Sequence, residues 1–176
     1  AEGDPDAFRA GMDELNDYAE RLARDALAVM PDGRYHARDV LDDDGQGSED
    51  VPIEVSVSVA SGRVHVDFAG TAPQVAGNVN CPLSVAAAAV FYVFRCLMPG
   101  HTPACAGTFR PVELTAPQGT LVNAERPAAV VAGNVETSMR IVDVLLAALA
   151  PALPERIPAA SQGTMNNVAM GARGAD

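Results

Sequence analysis

Two apolar runs constrain this chain more than any other feature. Leu83–Leu97 (LSVAAAAVFYVFRCL) carries no charge before Arg95, and between Ile141 and Leu149 (IVDVLLAAL) Asp143 is the lone polar side chain. Helices of that composition expose a narrow edge at most and must be enclosed by protein around the rest of their circumference. Neither reaches the roughly 20 apolar residues that a bilayer span requires, so both are read as core helices and no membrane is expected as a partner. An apolar fraction of 48% over 176 residues is ample for the core they imply.

The second run lies in a stretch, Pro127–Asn167, with clear punctuation. Val130 and Val131 read as a short strand, Gly133-Asn134 as a turn, and Pro151 and Pro154 as the helix stop. Asn134 or Thr137 can place a side-chain oxygen on the free amides of the first helical turn, and Glu136 sets negative charge beside the positive end of the helix dipole. Beyond the stop, Ser161, Gln162, Thr164, Asn166 and Asn167 crowd around Gly163. Uncharged hydrogen-bonding groups beside buried helices are costly unless they pair with one another, with backbone or with a ligand, so this loop is either a site or a well-satisfied turn.

The opening of the first run has a similar pattern. Gly77-Asn78-Val79-Asn80 stands before one helix as Gly133-Asn134-Val135-Glu136 stands before the other. If the two turns are neighbours, their helix N-terminal amides converge on a place suited to a phosphate or carboxylate. The alternative is that Gly-Asn merely caps any helix that follows a tight turn.

The rest of the chain supplies a sheet and a third helix. Pro5–Met30 reads as amphipathic, with Leu15, Tyr18, Leu22, Ala26 and Val29 on one face and a mixed-sign charged face opposite. Residues 34–41, 51–59 and 64–68 alternate apolar with polar and make an antiparallel meander with one wet face, where His65 belongs. The acidic run Asp42–Asp50 (DDDGQGSED) lacks the spacing of an EF-hand loop and is read as a solvated hairpin connection. Arg110–Asn123 suggests two short strands around a Pro-Gln-Gly turn, and a further strand is expected near 164–170. Arg110 is poised either for a carboxylate or phosphate or for an ion pair with Glu113 or Glu136. The fold class is therefore α+β: a small antiparallel sheet plus three principal helices, two of them buried. One compact domain is divided into an N-terminal helix (1–32), a β meander (33–70) and a mixed lobe with amide-rich loops (71–176).

Twelve basic residues against 23 acidic ones, net −11, argue against a nucleic-acid partner, because a phosphate backbone is gripped by clustered cations. Cys81, Cys96 and Cys105 form no CxxC pair and are read as reduced, mostly buried thiols. With three isolated histidines there is no zinc spacing, and no metal ligand is assigned to this chain. The first residues, AEGDPD, show no signal-peptide pattern, and a cytoplasmic location is expected. No P-loop, GxSxG elbow or HExxH helix occurs.

The motifs GNVETSMRIVDVLLAALA and IPAASQGTMNN, with GTAPQVAGNVNCPLSVAAAAV and RPVELTAPQGTLVN before them, resemble the hydantoinase B family. That family embraces the B-type parts of N-methylhydantoinase and 5-oxoprolinase and the alpha subunit of acetone carboxylase. The chain departs from the usual pattern at Met139, Cys105 and Thr108. The resemblance implies ATP-dependent opening of a cyclic amide, a hydrolase reaction in which a hydantoinase A-type partner phosphorylates the amide oxygen and the B-type part carries the intermediate to hydrolysis. It implies membership of a hetero-oligomer, ATP and a divalent metal elsewhere in the complex but no cofactor held by this chain, and no activity from the chain alone. Asn134, Glu136, Arg140, Ser161 and Gln162 are the candidate catalytic residues. Asn78, Asn80, Arg110, Asn166 and Asn167 are the candidate substrate-binding ones. Two other roles stay open: carboxylation of the acetone carboxylase type, and an assembly module that never touches substrate.

Overall fold

A computed structural model describes residues 4–166, 170 and 171. The meander is present as β1 (Gly33–Asp43), β2 (Glu49–Ala60) and β3 (Arg63–Asp67), paired antiparallel. Along β2 the alternation is physical. Val51, Ile53, Val55, Val57 and Val59 are buried, while Glu54, Ser56 and Ser58 point to the wetter face. A fourth strand, β4 (Val112–Thr115), joins β3 in parallel register, Val64 opposite Val112 and Asp67 opposite Thr115. The sheet is thus mixed rather than antiparallel, because this pairing depends on a long crossover and no local signal. The second strand expected within 110–123 is absent. In its place Thr120 bridges Pro73 and Asn123 singly.

Three helices complete the α+β fold: α1 (Pro5–Leu27), α2 (Leu83–Leu97) and α3 (Ser138–Leu149). α3 packs on β1 and β2, and α2 lies beside α3. Ile141, Val144, Leu145, Ala148 and Leu149 of α3 join Val90, Val93 and Phe94 of α2 and the valines of β2 in one continuous core. Full burial of a side chain such as Phe68 or Phe94 contributes about 2–3 kcal/mol. The stacked rings of Phe91 and Phe109, 4.6 Å apart, tie α2 to a 3₁₀ turn, Ala106–Phe109.

Several local expectations fail for identifiable reasons. α1 buries Ala19, Ala23 and Leu27, whereas Leu15, Tyr18 and Val29 are exposed. Small alanines allow the close approach that Gly107 and Gly62 demand, since a Cβ on either glycine would run into the α1 backbone at Asn16 or Arg24. α2 is less enclosed than its composition suggests: Ser84, Ala88, Tyr92 and Cys96 form an open stripe at helical spacing. Val130 and Val131 form no strand but lead into a turn, with Val131 exposed. No strand covers 164–166, and the rest of the strand expected near 164–170 falls partly on 167–169, outside the described residues. The cysteines are free, yet of the three only Cys81 is buried, and burial pushes its thiol up to about 12. No helix among the described residues is long and apolar enough to cross a membrane.

Candidate functional site

The two Gly-Asn turns touch. The Ala132 amide donates to the Asn78 carbonyl at 2.9 Å, and Gly133 lies so close to the Asn80 carbonyl that no side chain fits between them. The Thr137 hydroxyl donates to the Val79 carbonyl, so it anchors one turn on the other instead of capping α3. The turns are not equivalent in structure. Gly133–Thr137 is itself a π turn leading directly into α3, while Gly77–Asn80 is a bend that ends before Pro82 caps α2.

Their amides do not converge on an empty place. Val135 and Glu136 donate to Ala132 and Gly133 donates to Val130. The Gly77 amide donates at 3.0 Å to a carboxylate of the chain itself, Asp44. Asp44 is 4% exposed and also accepts from the amides of Gln46 (2.8 Å) and Ser48 (2.9 Å). The acidic hairpin connection is therefore not solvated throughout: its third acid is driven inward and clamps the first Gly-Asn turn. In a run of acids, composition alone does not mark which one turns in. The nearest sequence signal is the Asp-Gly-Gln-Gly-Ser spacing, suited to a side chain accepting from amides two and four residues on.

The Ser48 amide above all, with those of Gln46 and Gly77, brings the Asp44 carboxyl down from 3.8 to about 2 against the opposing effect of burial. A depressed folded-state value means the stabilisation is complete above the unfolded value and is lost on acidification toward the folded one. Denaturant titrations should thus show the advantage of the native chain over Asp44→Asn constant near neutrality and shrinking between pH 3.8 and about 2. An advantage unchanged across that window would contradict the clamp.

Around the paired turns lies a polar pocket of about 520 Å³. Asp42, Asp43, Asp44, Asn78, Glu136, Arg140, Gln162 and Thr164 line it. Arg140 is committed to Asp39 at 2.7 Å, and Glu136 accepts from the Thr164 hydroxyl at 2.8 Å. Four carboxylates face one guanidinium that is already paired, so the pocket as it stands is acidic and repels a free anion. Among the described residues no group of three or more His, Cys, Asp and Glu side chains could hold a metal ion. What the arrangement offers is amide and hydroxyl groups that orient a polar ligand, beside a carboxylate, Glu136, able to accept a proton from water.

The pocket unites Asn78, Glu136, Arg140 and Gln162 of the sequence candidates. Asn134 and Ser161 fall elsewhere, in an apolar groove of about 680 Å³ between α2 and α3. Asn80 is a structural residue. It is fully buried, its side-chain nitrogen donates to Val75, Gly77 and Ala129, and its oxygen accepts from Val75, leaving nothing for a substrate. Arg110 pairs with neither Glu113 nor Glu136. It reaches Asp17 (2.7 Å) and Glu20 (3.3 Å) of α1, which approach it from a part of the chain some ninety positions away, and it lines neither cavity. Asn166 is exposed and lines neither cavity, and Asn167 lies outside the described residues.

The family model for hydantoinase B/oxoprolinase matches residues 1–176, and the chain belongs to that family. It is 40% identical over 170 residues to an uncharacterised protein of Methanocaldococcus jannaschii, covering 96% of this chain and 29% of that one. It is 40% identical over 121 residues to 5-oxoprolinase 1 of Arabidopsis thaliana, covering 69% of this chain and 9% of the relative. The crystal structure of the ATP-dependent caprolactamase from Pseudomonas jessenii superposes with a TM-score of 0.77 at 30% identity, covering 86% of this chain and 26% of the caprolactamase chain. The chain thus spans less than a third of the length of the curated relatives it matches.

Proposed function

We propose that this chain is the lobe of an ATP-dependent cyclic-amide hydrolase that handles the activated amide, using the polar pocket beneath the paired Gly-Asn turns. The observation that carries the reading is the pocket itself, where Asn78, Glu136, Arg140 and Gln162 meet from three separate segments. The relatives add support, since a 5-oxoprolinase and a caprolactamase are both named for opening lactam rings. An amide carbon is a poor electrophile, and phosphorylation of its oxygen by a hydantoinase A-type partner activates it. Water adds to that carbon, the ring C–N bond breaks as the nitrogen takes up a proton, and the acyl phosphate left behind is hydrolysed to carboxylate and phosphate. The remaining task is to orient that intermediate and deliver water, which is work for amide donors and a carboxylate base. Asn78 and Gln162 orient the uncharged ring of the intermediate, whose phosphoryl group is turned away from the four carboxylates. Glu136 takes the proton from water, and Arg140 comes into play if the substrate draws it from Asp39. ATP and a divalent metal act elsewhere in the assembly, and the isolated chain is inactive.

In the assembled enzyme, Gln162→Ala should reduce ATP-dependent ring opening about tenfold or more, while the subunits still co-elute on gel filtration. Normal turnover would remove the pocket from the reaction. Loss of co-elution would show an assembly surface instead.

A further inference from the structure

An acidic residue lies buried in a core helix beside the site. Asp143 sits on α3, 6% exposed, among Ile141, Val144 and Leu145. An ionised carboxylate at that depth is costly unless it is hydrogen-bonded. Its bonds both come from Ser161, whose hydroxyl donates at 2.8 Å and whose amide donates at 3.2 Å. Seven residues earlier, in the π turn that leads into α3, Glu136 receives the Thr164 hydroxyl. Residues 161–164 therefore run antiparallel to the start of α3, fastened at both ends by a hydroxyl on a carboxylate. Between the fastenings, Gly163 takes a φ of +81° and lies directly over the Arg140 guanidinium, a place where a Cβ would collide. The Gly163 amide donates back to the Ser161 oxygen at 3.0 Å, which closes the turn and points Gln162 into the polar pocket.

Ser161 and Asp143 line the apolar groove, not the pocket. We infer that the Ser161–Asp143 pair is a positioning device, which touches no substrate in the pocket and acts through Gln162 by fixing its carboxamide at the reacting intermediate. This rests on the pocket being the catalytic one. The carboxylate lies in the core because an acceptor for both the amide and the hydroxyl of one serine, rigidly mounted on a packed helix, locks that residue in one orientation. A neutral acceptor on the loop itself would not.

The test uses the assembled enzyme with Ser161→Ala, Ser161→Thr, Gln162→Ala and the Ser161→Ala/Gln162→Ala double variant. Ser161→Ala should lower kcat about tenfold at nearly constant KM, since misplacing one group by a fraction of an ångström costs rate. A small drop in thermal midpoint should accompany it, because Asp143 keeps the Ser161 amide but loses its shorter hydrogen bond. Ser161→Thr, which keeps the hydroxyl, should recover most of the rate. The double variant should be no slower than Gln162→Ala alone, because residues acting through one another are not additive. If Ser161→Ala keeps the native kcat while Gln162→Ala is impaired, the positioning role is overturned and the pocket reading survives. Additive losses would overturn it too, by showing that Ser161 acts independently of Gln162. A native kcat for Gln162→Ala would overturn the pocket reading and this inference with it.

Discussion

Replacing Gly133 with alanine should destabilise the fold by about 3 kcal/mol, the upper end of what overpacking a rigid interior costs. The added Cβ would fall on the Asn80 carbonyl oxygen and crowd the Cys81 Cα, both backbone atoms. That backbone has nowhere to retreat. Asn80 is tied by its side chain to Val75, Gly77 and Ala129, and Cys81 exchanges backbone hydrogen bonds with Leu121 and Ala124. For a domain of this size the loss corresponds to a fall in thermal midpoint of roughly 6–12 °C. Gly11→Ala is the matched control. It lies within α1 with nothing near its Cβ, so the same change should raise stability by about 0.5–1 kcal/mol. Scanning calorimetry of both variants decides the matter, and an unchanged midpoint for Gly133→Ala would mean the two turns do not press together.

The second large effect concerns chemistry. Glu136→Gln keeps an oxygen to accept from Thr164, so the loop should stay seated, yet it removes the lone proton acceptor assigned to water attack. General-base catalysis is worth about 10²–10⁴ in rate, and turnover of the assembled enzyme should fall by about that factor. Stability should hardly move, because the side chain is half-buried and its hydrogen bond survives. A coincident loss of stability and activity would instead mark Glu136 as a structural residue.

Legibility in the sequence followed the range of the interactions involved. The bounds of α2 and the alternation of β2 are written in neighbouring residues, and the structure has both where the sequence places them. The parallel pairing of β4 with β3 joins Val112 to Val64, and no local pattern specifies such a partner. Helical spacing marks Leu15, Tyr18, Leu22, Ala26 and Val29 as the inner face of α1, whereas the fully buried positions are Ala19, Ala23 and Leu27. Contact with backbone at Gly62 and Gly107 selects alanine, and the larger Leu15 and Tyr18 turn outward. At the site, the motif Gly77-Asn78-Val79-Asn80 offered two asparagines of identical chemistry. The structure places Asn78 on the pocket and seals Asn80 in the core, a difference created by the later Ala129 segment. Asp44 is hidden in the sequence for the converse reason: its acidic neighbours give a buried carboxylate the composition of a solvated run.

On the function proposed above, the pocket beside the two turns acts on an amide already activated by ATP. Rapid-quench measurement of one turnover by the assembled enzyme carrying Glu136→Gln tests it most directly, with ADP and ring-opened product followed separately. ADP should form at the native rate, up to one equivalent per site, with product delayed by about two orders of magnitude or more. Product appearing together with ADP at the native rate would contradict it.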